Sequence, residues 1–169
     1  MKKYEENLES VNKTILIENK GIKITEDALI LAEFIKKIIQ NKASNHNWSF
    51  FDSKNMLEIG AGQGIISILL SEINFISKIY AVEIQNEIYN ILIKNIKRNK
   101  LEEKIIAINS NIKEIKGEYD YIFSNPPYKK INSGRLPSKD SEKISKYEIS
   151  LTLEELIFSI KKLLKNQGE

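Results

Sequence analysis

The stretch MLEIGAGQG, residues 56–64, decides the fold of this chain. Met56 to Ile59 has the length and apolar character of a short buried strand, and glycines at every second position from Gly60 to Gly64 form a turn. Ile65 then opens a helix that extends to Glu72. A strand, a glycine turn and a helix in this order predict one unit of a parallel sheet.

The same alternation continues along the chain and predicts an α/β fold with helices on both faces of a parallel sheet. Further strands are predicted at residues 78–84, 105–108 and 119–124, with helices at 86–100 and 152–168 and a polar loop at 129–147. Thr152 and Glu155 are spaced as a capping box for the last helix, and Gly168 is placed as its C-terminal cap. Residues 54–169 are therefore predicted to form the core.

Residues 1–53 are predicted to be an N-terminal extension of the same domain, so that residues 1–169 form a single unit. Its first 13 residues are polar and are expected to be a short helix or a loose arm. The apolar segments 15–17 and 22–24 are predicted to pair as a hairpin around Gly21. A helix should begin after Thr25, a residue suited to the N-cap, and residues 43–53 should be a loop.

Composition excludes several functional classes. The chain has 169 residues, 41% of them hydrophobic and 29% charged, which is typical of a soluble globular protein. The absence of cysteine excludes disulfides and thiolate metal sites, and a single histidine, His46, argues against a metal centre. No segment is apolar enough to span a bilayer or to act as a secretory signal, and the absence of cysteine leads us to expect a reducing, cytoplasmic location. The net charge of +3 is compatible with a nucleic-acid partner without implying one.

Two carboxylates accompany the glycine turn. The spacing E-x-G-x-G-x-G differs from the dinucleotide fingerprint G-x-G-x-x-G, which would require a glycine where Ile65 stands. Glu58 suits a ligand with a positive charge, and Glu83 ends the next strand, where a carboxylate can accept hydrogen bonds from both hydroxyls of a ribose. This combination resembles the S-adenosylmethionine site of Rossmann-like methyltransferases. The resemblance implies that Gly60, Gly62 and Gly64 surround the methionine end of that cofactor.

The second informative segment is Asn125-Pro126-Pro127-Tyr128, directly after the strand predicted at 119–124. Consecutive prolines give a rigid turn with fixed carbonyl acceptors, Asn125 adds a side-chain carbonyl, and Tyr128 adds a flat aromatic surface. Two fixed acceptors could bond the N–H groups of an exocyclic amine and orient its lone pair toward a methyl donor. The segment resembles the catalytic motif of amino-group methyltransferases, which act on adenine N6, guanine N2 or a protein glutamine.

Longer segments resemble one group within this family, the bacterial tRNA adenine-N6 methyltransferases of the tRNA1(Val) type. The likeness runs from about residue 15 to residue 168, and its marks lie at 15–34, 65–66, 82–85 and 128–168. Three departures stand out. Residues 145–148 read SKYE where the family has an Ala-Arg-His-Glu-like run, Asn111 stands where many relatives place an aspartate against the cofactor adenine, and relatives continue through three more strands. The resemblance therefore implies a core that ends before those strands.

The resemblance implies a function: methyl transfer from S-adenosylmethionine to N6 of an adenosine in the anticodon-loop region of tRNA. Alternatives are another amino-group methyltransferase, acting on rRNA, DNA adenine or a release-factor glutamine, and an inactive remnant that only binds RNA or the cofactor. Lysines and arginines at 94–100 and 129–146 are candidates for contacts with RNA. Neither a metal nor a membrane is expected to take part, and the sequence predicts no oligomeric state.

Overall fold

The computed structural model describes residues 3–18, 24–46, 48, 53–126, 153–166 and 168. Within these ranges the strands are β1 (Lys3–Leu8), β2 (Lys13–Glu18), β3 (Lys54–Ile59), β4 (Ile76–Val82), β5 (Ile105–Ile108) and β6 (Tyr121–Ser124). The α-helices are α1 (Glu26–Asn45), α2 (Ile65–Leu70), α3 (Asn86–Arg98) and α4 (Leu153–Leu163). The loop predicted at 129–147, the capping residue Thr152, Pro127 and Tyr128 lie outside the described residues.

The predicted parallel sheet is confirmed. Its strands lie in the order β5-β4-β3-β6, and each neighbouring pair is parallel. Successive residues of β3 point to opposite faces: Met56 belongs to the apolar core that also contains residues of α1, α2 and α3, whereas Leu57 belongs to the core that contains Leu163 of α4. Because both faces are covered by helices, the strands need apolar side chains on both sides, which explains their continuous apolar runs.

The N-terminal hairpin differs from the prediction. β2 contains residues 15–17 as expected, but it pairs antiparallel with β1, in a register from Lys3 opposite Glu18 to Leu8 opposite Lys13. The polar segment predicted as a helix or a loose arm is therefore a strand. Of the segment 22–24 that was predicted to pair with 15–17, Ile24 lies outside any strand, and residues 19–23 lie outside the described part. Leu8, Val11, Ile15 and Ile17 are buried, so four apolar side chains among the described residues anchor an otherwise polar hairpin to the core.

Helix α1 begins as predicted, because the Thr25 hydroxyl accepts a hydrogen bond from the Ala28 N–H at 3.3 Å. Its apolar side chains follow the helical period, and Ala28, Ala32, Ile35 and Ile39 are buried. The predicted loop at 43–53 is wrong for its first residues, since the helix continues to Asn45 and buries Ala43.

Helix α4 confirms the predicted C-terminal helix as far as Leu163, but Gly168, predicted as its C-terminal cap, lies beyond its end because Leu164 pairs with Tyr119 beside the sheet. The apolar stripe of α4 is only partly covered. Leu163 is buried, whereas Leu153 and Phe158 are 70% and 72% exposed. The end of the helix is fixed to the sheet by the Tyr119 N–H, which donates to the Leu163 carbonyl at 2.8 Å. No helix in the described ranges combines the length and the apolar character needed to cross a bilayer.

Candidate functional site

The carboxyl ends of β3 and β6 lie side by side. Ile59 is paired with Ser124 in the parallel register, and the Ser124 hydroxyl donates to the Ile59 carbonyl at 2.8 Å. Gly60 follows the first strand directly and Asn125 follows the second. The glycine turn and the segment that begins at Asn125 therefore start side by side at the carboxyl ends of two adjacent strands. Ligands of open α/β sheets bind at this edge.

Two other predicted site residues, Glu83 and Asn111, follow the carboxyl ends of β4 and β5 in the same sheet. Ile59 is also paired with Val82, the residue before Glu83, and Val82 is paired with Ile108 of β5. Asn111 comes three residues after Ile108. The topology thus brings all four carboxyl ends together, as a parallel sheet requires.

The glycine turn has a backbone that favours glycine. Gly60, Gly62 and Gly64 have φ values of 72°, 58° and 87°, in the left-handed region. The N–H groups of Gly60 and Ala61 both donate to the Val82 carbonyl at 2.9 Å, which fixes the turn across the end of β4.

The three glycines differ in what surrounds them. A Cβ on Gly60 or Gly62 would meet no atom within 4 Å, so a ligand has room to approach the backbone there. A Cβ on Gly64 would lie 2.5 Å from Cδ1 of Leu92. The structure therefore gives Gly64 a packing role between the turn and α3, and its predicted contact with a ligand stays a prediction.

Glu83 is buried at the end of β4 and holds the turn. Its Oε2 accepts from the Gly62 N–H at 3.0 Å and its Oε1 accepts from the Gln85 N–H at 2.8 Å. Burial raises the pKa of this carboxyl, and the backbone hydrogen bonds oppose that rise. Asn109, which sequence analysis did not select, donates from Nδ2 to the Glu83 carbonyl at 2.7 Å. Its position directly after the parallel strand β5 is the sequence signal that could have identified Asn109.

Glu58 lies beneath the turn, on the face of the sheet that α2 covers. Its Oε2 accepts from the Ser67 N–H at 3.1 Å and from the Ser67 hydroxyl. Burial raises the pKa of Glu58 to about 7, and the charge of Glu83 adds to the effect. The carboxyl therefore gains or loses its proton near neutral pH. Its predicted role beside a cationic ligand stays a prediction.

Asn111 and Asn125 occupy the remaining described positions. The Asn111 Oδ1 accepts from the Lys113 N–H at 3.0 Å and caps the short 3₁₀ helix Ile112–Glu114. Asn125 is half-buried and Pro126 is exposed at the sheet edge. The predicted roles of these residues, and of Pro127 and Tyr128, are not tested by this geometry.

A cavity of about 350 Å³ lies elsewhere, near the amino-terminal ends of the strands. Its lining includes Lys54, Asp120 and Lys165, and the Asp120 carboxylate lies 2.9 Å from the Lys165 ammonium and 3.9 Å from that of Lys54. None of the predicted site residues lines this cavity. It carries ion pairs that fix the ends of the sheet.

Comparison with known proteins gives relatives that are named as methyltransferases. The chain is 33% identical over 120 residues to a tRNA1(Val) (adenine(37)-N6)-methyltransferase of Dyadobacter fermentans, an alignment that covers 70% of this chain and 49% of that one. It is 30% identical over 143 residues, 79% of this chain and 61% of the other, to a Methanocaldococcus jannaschii protein whose name proposes that it is a protein N5-glutamine methyltransferase. The chain spans about half the length of the tRNA methyltransferases that it matches.

Solved structures share the fold. The N-terminal domain of human METTL16 in complex with SAH superposes with a TM-score of 0.60 at 19% identity, covering 93% of this chain and 60% of that one. This supports the predicted α/β methyltransferase fold. The family model of the methyltransferase small domain matches residues 36–137, which is more than half of the chain. The chain therefore belongs to the methyltransferase small domain family.

Proposed function

We propose that this protein transfers a methyl group from S-adenosylmethionine to N6 of an adenosine in the anticodon-loop region of a tRNA. The observation that carries the proposal is the adjacency of β3 and β6, because it sets the glycine turn beside the segment that begins at Asn125. The named tRNA methyltransferases among its relatives support the choice of substrate.

The residues of the turn fit the cofactor. The open backbone at Gly60 and Gly62 leaves room for the methionine end, and the Glu83 carboxylate has lone pairs beyond those used by Gly62 and Gln85 with which to accept from ribose hydroxyls. Gly64 packs the turn against α3, Glu58 bonds Ser67 in the helix that follows the turn, and Asn111 would lie toward the adenine. S-adenosylmethionine, when bound, supplies an electrophilic methyl group on a sulfonium centre.

The segment after β6 would hold the amine. In this proposal the Asn125 side-chain carbonyl and the Pro126 backbone carbonyl accept the two N–H groups of the adenine amine, which directs its lone pair at the donor. Pro127 would restrict the backbone of this segment, because the ring of proline fixes φ. Stacking of the target base on Tyr128 would contribute about 1–3 kcal/mol. No strong general base is required, since the amine loses its proton after the methyl group has been transferred.

The test is transfer of a labelled methyl group to deproteinised tRNA, to rRNA and to a release factor, each in a separate reaction. We expect tRNA alone to be labelled, and digestion to nucleosides should yield N6-methyladenosine. We expect Asn125→Ala to abolish transfer while leaving the cofactor dissociation constant within about twofold, because the amide touches the amine and not the cofactor. Asn90→Ala, an exposed asparagine on α3, is the matched control and should retain activity.

A specific alternative is methyl transfer to a protein glutamine, which the Methanocaldococcus relative favours. It would use the same site, with the side-chain amide of a glutamine in place of the adenine amine. Labelling of the release factor without labelling of tRNA would establish it in place of the proposal. Cofactor binding without labelling of any substrate would instead identify a binding module, and equal loss of binding and transfer in Asn125→Ala would assign that residue a structural role.

A further inference from the structure

Asn95 is a fully buried amide in the apolar face of α3, with 0% of its surface exposed. Its Nδ2 donates to the Gln63 carbonyl at 2.9 Å and to the Leu16 carbonyl at 3.2 Å, and its Oδ1 accepts from the Leu16 N–H at 2.7 Å. One side chain therefore joins two segments that are far apart in sequence. These segments are the glycine turn and the N-terminal hairpin.

Asn99, one helical turn further along α3, provides a natural comparison. Its Oδ1 accepts from the Thr14 N–H at 2.9 Å and its Nδ2 donates to the Thr14 carbonyl at 2.7 Å. Its other bond goes to the Asn95 carbonyl within the helix, at 2.8 Å. The two asparagines thus bond the outer edge of β2 in the same way, but of the two Asn95 alone also donates to the glycine turn.

The bond from Asn95 to the Gln63 carbonyl restrains the turn between two glycines. Gln63 lies between Gly62 and Gly64, and both neighbours have positive φ values, so the backbone has few steric restraints of its own. Glu83 holds the Gly62 N–H at 3.0 Å from one side, and Asn95 holds the next carbonyl from the side of α3. In addition to the backbone bonds to the Val82 carbonyl, the turn is therefore held by one side chain of the site and one side chain outside it.

We infer that Asn95 is a positioning residue, which holds the glycine turn in its cofactor-binding conformation and couples that turn to the N-terminal hairpin. This inference rests on the proposed function, because it assigns the cofactor to the turn. Asn95 acts through the Gln63 carbonyl and the backbone of Leu16. The hairpin is thereby part of the apparatus that shapes the cofactor site.

The test compares Asn95→Ala with Asn99→Ala by titration calorimetry with S-adenosylhomocysteine, the demethylated form of the cofactor. Each variant loses two hydrogen bonds to β2, and Asn95→Ala also loses the bond to Gln63. We expect the dissociation constant to rise about tenfold in Asn95→Ala and less than about twofold in Asn99→Ala. Equal rises in the two variants, or no rise in Asn95→Ala, would overturn the inference.

A second measurement uses the unaltered protein and decides the matter if Asn95→Ala does not fold. Hydrogen–deuterium exchange is followed with and without S-adenosylhomocysteine. Coupling through Asn95 predicts slower amide exchange in residues 13–18 of the hairpin as well as in residues 60–64 of the turn. Protection confined to the turn would refute the coupling. Failure of the unaltered protein to bind S-adenosylhomocysteine would overturn both the proposed function and the inference, whereas binding with equal effects of the two variants would overturn the inference alone.

Discussion

Replacing Glu58 by glutamine should flatten the pH dependence of folding stability. Burial raises the pKa of this carboxyl from 4.5 to about 7 in the folded protein. The folded protein therefore retains the proton over a range of pH in which the unfolded chain has lost it. The stabilisation from Glu58 is complete below about pH 4.5 and is lost as the pH rises through about 7.

The magnitude follows from the two pKa values. A difference between 4.5 and about 7 corresponds to about 3 kcal/mol in the free energy of unfolding. Most of this, about 2–3 kcal/mol, should be lost between about pH 5 and about pH 8. In Glu58→Gln the side-chain oxygen can still accept from the Ser67 N–H, so the variant should fold. It has no titratable group at this position and should therefore lack the pH-dependent contribution of Glu58.

The free energy of unfolding of the native chain and of Glu58→Gln is measured by urea denaturation at about pH 5 and about pH 8. The raised pKa of Glu83 gives a pH dependence of the same sign, but it is present in both proteins and cancels in the comparison. Glu118→Gln, which removes an exposed carboxyl, controls for the change in net charge. If Glu58→Gln loses as much stability over this range as the native chain, the reasoning about burial is refuted.

Two further predictions concern stability. In urea unfolding, Gly64→Ala should lower the free energy of unfolding by about 2 kcal/mol and Gly60→Ala by about 1 kcal/mol. Both glycines have positive φ, but only the new methyl group at position 64 would meet Leu92, at 2.5 Å. Equal losses of stability in the two variants would contradict this reasoning. Thr25→Ala should destabilise the protein by about 1 kcal/mol through loss of the α1 N-cap. Recovery of most of that loss in Thr25→Ser, whose hydroxyl can cap in the same way, would attribute it to the hydrogen bond.

The sheet and its edge could be predicted because their signals are local. The glycine spacing after Ile59 and the apolar run that contains Val82 mark strand ends, and parallel pairing then forces those ends onto one edge. Parallel pairing of β3 and β6 also sets Ile59 beside Ser124, the adjacency on which the proposed function depends.

The hairpin could not be predicted correctly, because its stability comes from distant residues. β1 reads KYEENL and lacks the apolar alternation that marks a strand. It forms because β2 accepts it on one edge, while on the other edge Asn95 and Asn99 satisfy the backbone of Leu16 and Thr14. These partners are separated by 79 and 85 residues, a distance that local pattern analysis does not reach.

Asn95 illustrates what a helical period can and cannot reveal. It lies three residues after Leu92 and four after Ile91, so the helical period places it on the same face as these two apolar residues. An amide buried there must find hydrogen-bond partners, or its desolvation would destabilise the fold. The sequence therefore contained a signal that Asn95 bonds to something, although it held none for the identity of the partners. Those partners are backbone groups, which carry no sequence signature, and only the fold brings the glycine turn and β2 within hydrogen-bond distance of one asparagine.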